Sequence, residues 1–312
     1  MRNCLDIKLL HSFYFLVSTF CFSLLPLSEV LAKDKPSVVC TTGIMADLLR
    51  NIAGESVNIK PLMGPGVDPH VYKPTHKDIS LLRDADIIVY HGLTLEGKLE
   101  PILEKLEAKG KTVIAASEFG KKELLLAAED YQNAFDPHLW FDPTLWSLVA
   151  ENVGSRLAIA LPKDSKVIEE STSSYLKKLS EIDNWTKEQV ALIPENSRVL
   201  VTAHDAFRYF GKRYGMEVDG LQGISTSADY GLRDVKNLAG KIIDRKLKAI
   251  FMESSVAAKF IESLQVAVKA RGHEVAIGGT LYSDALGPEG SGADTYLGMV
   301  KHNVETIVGG LK

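Results

Sequence analysis

The sequence predicts an α/β fold in two halves, each a parallel sheet covered by helices on both faces, joined by one long helix. Short apolar, β-rich runs alternate with amphipathic stretches before residue 162 and again after residue 194, the order that buries parallel strands between helices. Between these halves, residues 163–193 contain neither Gly nor Pro, and Val167, Tyr175, Leu179, Ile182, Trp185 and Val190 recur among charged residues. That spacing is helical, and about 30 residues would make a rod of roughly 45 Å, long enough to cross a molecule or join two halves of one.

The elements follow in order. "SVVCTTG" reads as a strand, and "IMADLLRNIAG" as a helix stopped at Gly54. "SVNIKPLM" is a second strand. Thr75, with Asp78 three positions on, opens a helix through a capping-box pattern. "ADIIVYHG" and "KTVIAAS" are long enough for buried strands, and "PTLWSLVAENVGSRLAIALP" is a helix closed by Pro162. Beyond the long helix, "RVLVTAH", "EVDGLQG", "KAIFMES" and "HEVAIGGTL" are strands. "DAFRYFGKRYG", "LRDVKNLAGKIIDRK", "AAKFIESLQVAVKARG" and about residues 292–311 are helices.

Residues 1–32 differ from the rest. Arg2 and Lys8 precede an apolar run from about Phe13 to Leu27, and Val30-Leu31-Ala32 places small residues for cleavage after Ala32. The run is shorter than the roughly 20 residues a spanning helix needs, and Pro26 interrupts its end. Phe20 stands before Cys21 where a lipid-anchoring signal requires a small residue. The expected organisation is a signal peptide over 1–32, an amino-terminal lobe over 33–163, a linking helix over 164–194 and a carboxyl-terminal lobe over 195–312, in a protein exported to the periplasm. Cys4 and Cys21 leave with the signal. Cys40 remains alone, so the mature chain forms no internal disulfide, and a small buried core residue is the reading of its thiol.

Of the 312 residues 46% are hydrophobic and 24% charged, with a net charge of −4 and no dense Lys/Arg run. That excludes the basic footprint a nucleic-acid partner demands.

Ligands of parallel α/β sheets bind beyond the carboxyl ends of the strands, and four polar residues are expected on that rim. His70 follows "SVNIKPLM" and a Gly-Pro-Gly bend, His138 sits in "FDPHLWFDP", His204 ends "RVLVTAH", and Asp284 follows "HEVAIGGTL". Asp-Pro directly precedes both His70 and His138. Proline fixes its own φ and extends the residue before it, so each ring is presented on a stiff loop. The intervals of 68, 66 and 80 residues (70 to 138, 138 to 204, 204 to 284) match no local metal motif. They suit a site assembled between halves, and three imidazoles with one carboxylate suit zinc or another first-row ion such as manganese. Each residue has a plainer alternative: a lone strand-end histidine is more often a hydrogen-bonded core or surface residue, and Asp284 could serve only its own turn. His204-Asp205 also matches a phosphohydrolase doublet, or Asp205 caps the next helix. His91, ending "ADIIVYHG", competes for a ligand position, whereas His76 and His273 fall on exposed helix and loop positions, His302 on the last helix as a packing or solvated residue, and His11 within the signal.

Seven blocks add a resemblance that covers the mature chain from about residue 37 to its end. "LMGPGVDPHVYKPT", "FDPHLWFDP", "VLVTAHDAFRYF", "GLQGIST", "AIFMESS", "IGGTLYSDALG" and "TYLGMVKHN", in that order, resemble the zinc/manganese solute-binding receptors of bacterial ABC importers, of the TroA-like type. The resemblance implies two similar lobes bridged by one rigid helix, a single Mn or Zn ion in the cleft as transported ligand, and His70, His138, His204 and Asp284 as its ligands. It implies a monomeric periplasmic receptor, not an enzyme, that delivers the ion to a membrane permease driven by a cytoplasmic ATPase. Asp68, Asp136 and Glu253 are expected to accept the second N–H of ligating imidazoles or to shape loops. Many manganese-selective members carry Glu at the position of His204, and many zinc-scavenging members carry a His-rich loop where "ASEFGKKELLLAAEDYQNAF" has no histidine. These two departures pull the metal assignment in opposite directions. The competing classes are a metallohydrolase with a catalytic zinc, for which no HExxH motif is present, and a chelate-binding receptor of the same fold.

Overall fold

A computed structural model describes residues 35–128, 134–227 and 231–312; the segment read as a signal lies outside them. In the amino-terminal half, β1 (Ser37–Cys40), β2 (Asn58–Pro61), β3 (Ile87–Tyr90) and β4 (Thr112–Ala115) form one parallel sheet in the order β2-β1-β3-β4. Val38 and Cys40 point into the large central core while Val39 points into a smaller cluster on the other face, with Ile87 and Val89 opposed to Ile88 in the same way. Both faces are covered, and so these strands read as unbroken apolar runs rather than alternating ones.

Helix α1 (Gly43–Ala53) starts at Thr42, whose hydroxyl accepts the Met45 amide at 3.2 Å. Helix α2 (His76–Asp84) has the expected capping box between Thr75 and Asp78. Helix α3 (Glu100–Glu107) has no counterpart in the sequence reading. Pro101 sits in its first turn, where the missing N–H costs nothing, so the residue that looks like a breaker is an initiator.

Two further helices are α4 (Pro143–Ala160) and the long helix α5 (Ser165–Val190), 26 residues rather than about 30. Ile168, Thr172, Tyr175, Leu179, Ile182, Thr186 and Val190 form one buried stripe at helical spacing. It packs against α1, α4, α6 (Arg208–Tyr214) and α9 (Tyr296–Leu311).

The carboxyl-terminal half departs from one continuous sheet. It holds two parallel pairs, β5 (Val199–His204) with β6 (Glu217–Gln222), and β7 (Ala249–Glu253) with β8 (Ala276–Leu281). The β7–β8 register shifts by one residue, Ile250 pairing with Ile277 and Phe251 with Gly279 so that Gly278 of β8 is skipped, and β5 lies beside β7. Helices α7 (Leu232–Asp244) and α8 (Lys259–Lys269) cover these strands.

One apolar core joins the halves. It runs from Val38 and Trp146 through Tyr175 and Leu179 to Phe207, Tyr296 and Val304. Polar pins cross it: the first-turn amide of Tyr296 donates to Asp47 of α1 at 3.1 Å, and the Tyr296 hydroxyl to the Trp140 carbonyl at 2.8 Å. Cys40 is fully buried in this core, which pushes its thiol up to about 12, matching the inert core role expected of it.

Asp183 pins α5 to α6. Its carboxylate accepts from Arg213 at 2.9 and 2.6 Å, Lys187 at 2.6 Å and the Tyr214 hydroxyl at 3.1 Å. Burial alone would raise its pKa; hydrogen bonds from Arg213 and Lys187 outweigh burial and hold it below the usual carboxylate range. Asp183→Ala leaves the Arg213 guanidinium only the more distant Asp142 Oδ1 at 3.7 Å and should cost about 2–3 kcal/mol, below the usual figure for a broken buried pair because Arg213 keeps that partner and some solvent. Since the folded-state pKa is depressed, this stabilisation is present above about pH 4 and is lost as pH falls further. Urea unfolding of both proteins at pH 7 and pH 3.5 measures it: the difference should shrink at the lower pH, and equal stability at pH 7 would remove Asp183 as a pin.

Candidate metal centre

The four rim residues come together. His70, His138, His204 and Asp284 each offer a ligand atom within 4.8 Å of all the others, and all four side chains are buried. His138 Nε2 lies 3.3 Å from His70 Nε2, 3.4 Å from His204 Nε2 and 3.4 Å from Asp284 Oδ1. His204 Nε2 lies 3.3 Å from Asp284 Oδ2. An ion held tetrahedrally at ~2.0–2.1 Å requires donor–donor edges of roughly 3.3–3.4 Å, the bond length times the tetrahedral edge ratio. The four contacts match that edge length, and all donor pairs lie within 4.8 Å, so the cluster could close around one small divalent ion. The two oxygens of Asp284 face different imidazoles, so this carboxylate can offer one oxygen or both.

Local chain chemistry explains each position. In both Asp-Pro-His segments the aspartate accepts the backbone N–H of the histidine two residues on: Asp68 from His70 at 2.9 Å, Asp136 from His138 at 3.0 Å. This turn is what the repeated tripeptide encodes. The second jobs of the two aspartates differ. Asp136 Oδ1 also lies 2.7 Å from His138 Nδ1 and leaves Nε2 facing the cluster. Asp68 instead accepts the Thr226 hydroxyl at 2.5 Å, from the other half of the chain.

His204 ends β5. Glu253, ending β7, accepts its amide at 2.8 Å and lies 2.6 Å from its Nδ1. One carboxylate thereby ties two strand pairs together and aims the ring, the arrangement that fixes a ligating imidazole. Gly220 on β6 permits the close approach behind it, because an added Cβ would fall 2.5 Å from the His204 carbonyl carbon and the Asp205 amide nitrogen. Asp284 follows β8, and the indole of Trp140 donates to the neighbouring Ser283 carbonyl at 2.8 Å. The His138 turn and the Asp284 loop are locked to each other across the halves.

Electrostatics separates the three histidines. Burial holds His70 down to about 3, so it is neutral at any ordinary pH. Burial also opposes charge on His138 and His204, yet the carboxylates win. Asp136 raises His138, and Glu253 with Asp284 raises His204 well above the ordinary imidazole value. Burial would raise Asp284, but His204 and His138 outweigh it and hold this carboxyl well below the usual range.

The competitors resolve elsewhere. His91 is buried among Trp140, at 5.1 Å between ring centroids, Trp146 at 6.3 Å, and the Ser117 hydroxyl at 3.0 Å from Nε2. It is a packed histidine outside the four-residue cluster. Asp205 caps no helix: its carboxylate accepts the Gly220 amide at 2.6 Å. His76 is exposed, while His273 and His302 are half-buried and contact the carbonyls of Leu247 and Thr280. Trp140 and Thr226 were assigned no part by sequence reasoning; both stand in motifs, but nothing local marks their partners.

Comparisons with known proteins place the chain among metal-binding proteins of one family. The family described as "zinc-uptake complex component A periplasmic" matches residues 38–310. The chain is 43% identical to the manganese-binding lipoprotein MntA of Bacillus subtilis (strain 168) over 90% of this chain and 91% of that one. It is 45% identical to the zinc-binding protein TroA of Treponema pallidum (strain Nichols), over 91% of each. The solved structure of that periplasmic zinc-binding protein superposes with a TM-score of 0.86, covering 89% of this chain and 99% of that one.

Proposed function

Because the chain belongs to the zinc-uptake complex component A family, the substrate-binding proteins of metal transporters, we propose that it is the receptor of an ABC importer that captures one Mn or Zn ion between its halves. The observation that carries this reading is the buried four-donor cluster, whose ligand atoms lie within 4.8 Å of one another with His138 Nε2 3.3–3.4 Å from the other three residues. His70 and His138 come from the segment before the linking helix, proposed as the lobe 33–163. His204 and Asp284 come from the lobe 195–312 beyond it. Capture by ligands from both sides makes the filled state differ from the empty one, and a permease can read that difference.

The donor count argues for a carrier rather than an enzyme. Catalytic zinc sites use three protein ligands and keep a position for water or substrate; here a fourth protein donor fills that position. The cation is thus cargo. Export follows from the amino-terminal segment, with cleavage near Ala32, and delivery goes to a membrane permease with its cytoplasmic ATPase. The receptor acts as a monomer.

Relatives of similar identity are named for manganese and for zinc. Three imidazoles should favour zinc, which binds nitrogen ligands more tightly than manganese. The test is a competition titration. Protein from Lys33 onward, stripped with chelator, is titrated with each metal alone and against the other near pH 7. One exchangeable ion per chain is expected for each, competing for one site, with zinc the tighter. Absence of stoichiometric binding of both metals would overturn the receptor reading.

A further inference from the structure

We infer that Thr226 is a positioning residue that latches the His70 loop over the captured ion and slows its escape, an inference that rests on the proposed ligand set. Three of the four donors are rooted in the interior: His138 and His204 have no exposure and Asp284 has 1%. His70 retains 8% and is carried on the loop between β2 and α2, so the way out passes this side chain. What holds that loop shut comes from the opposite half. Asp68 Oδ1 accepts the His70 amide at 2.9 Å while Oδ2 accepts the Thr226 hydroxyl at 2.5 Å. The Thr226 carbonyl in turn accepts the Gln222 side-chain amide at 3.2 Å, and Gln222 pairs in register with His204. A polar chain therefore runs from the backbone of one ligand to the strand of another. Gly66, in the same loop, also meets the far half, with its Cβ direction 3.5 Å from the Ser254 carbonyl.

Thr226 is half-buried, and its hydrogen bonds among the described residues go to Asp68 and Gln222 rather than to any of the four donors. Its hydroxyl can act on the ion only through the Asp68 loop. Asp68 shapes the loop whether or not the latch is made; the latch adds a hydrogen bond to a carboxylate across the halves. Breaking it should leave the ligand set and stoichiometry intact and raise the dissociation rate by about tenfold, the size expected for one charge-assisted hydrogen bond. Association should change far less, because the latch closes after the ion has arrived.

The test is stopped-flow release of zinc into excess chelator from stripped and reloaded wild type, Thr226→Val and Thr226→Ser. Circular dichroism and binding stoichiometry are measured on each. Faster release from Thr226→Val, with unchanged stoichiometry and release restored towards wild type in Thr226→Ser, is the expected result. Equal release from Thr226→Val and wild type would overturn the latch while leaving the receptor reading standing. Release from Thr226→Ser as fast as from Thr226→Val would also overturn it, since the hydroxyl would then be irrelevant. No stoichiometric zinc on the wild type would overturn both.

Discussion

Replacing His138 with alanine should cut metal affinity by two orders of magnitude or more. Four-ligand structural zinc sites are worth roughly 10–16 kcal/mol, or about 3 kcal/mol per ligand, and about 1.4 kcal/mol is a factor of ten. His138 lies nearest the middle of this cluster, with its Nε2 3.3–3.4 Å from His70, His204 and Asp284. Removing it leaves a gap that the others cannot close, because each is held by its own partner: His204 by Glu253, and the Asp284 loop by Trp140. The fold should survive, since Asp136 holds the turn through the backbone N–H of residue 138, which alanine retains. Isothermal titration gives the affinity, and thermal unfolding gives an independent check. Zinc at a thousand times the dissociation constant stabilises a binding-competent protein by about 4 kcal/mol, a shift the variant should lose. Stoichiometric, tight binding by His138→Ala would dismantle the proposed ligand set.

Lowering the pH from 7 to 6 should weaken metal binding by about 10- to 100-fold, because one to two protons must leave before the ion can be held. The sign follows from the direction of each shift. His138 and His204 are raised, by Asp136 for the first and by Glu253 and Asp284 for the second, each against burial. In the metal-free protein both therefore hold their protons to higher pH than a free imidazole, His204 more strongly, and the ion must displace the protons that remain. Affinity rises with pH until the metal-free values are passed. The two rings share Asp284 and sit 3.4 Å apart, so their protons leave as a coupled pair. His70, held down to about 3, contributes nothing in this range, and Asp284 is already ionised. Titrations at pH 6, 7 and 8 give the slope, and buffers of different ionisation enthalpy count the protons released. A flat profile with no proton release would mean that both imidazoles stand neutral in the empty site.

Much of this was legible in the chain because it is local. The Asp-Pro-His tripeptide encodes its own turn, Thr75 and Asp78 encode their own cap, and the long segment free of Gly and Pro encodes a helix of nearly the right extent. The strand-end positions of His204 and Asp284 followed from a rule about parallel sheets. What could not be read depends on partners far along the sequence. Asp68 and Asp136 stand in the same tripeptide, yet one reaches Thr226 and the other its own histidine ring. His91 directly follows a strand where His204 ends one, but Trp140, Trp146 and Ser117 surround it, and no residue near position 91 announces them. The register shift between β7 and β8 skips Gly278, and which glycine of "AIGG" is left unpaired depends on a partner strand more than twenty residues away. Helix α3 went unread, since a proline in a first turn and one in an interior look alike in a string of letters.

The core that runs unbroken past the linking helix has a consequence for how a transporter could tell a full receptor from an empty one. Prising the halves apart enough to wet even 400 Å² of that core would cost on the order of 10 kcal/mol, comparable to the whole stability of a typical domain. The silhouette of the molecule is thus nearly constant, and occupancy has to be written in small print: the seating of the His70 loop and the surface around it. A permease facing this receptor must inspect texture rather than outline. An empty receptor, sharing almost all of that outline, would then compete with full ones for the same dock.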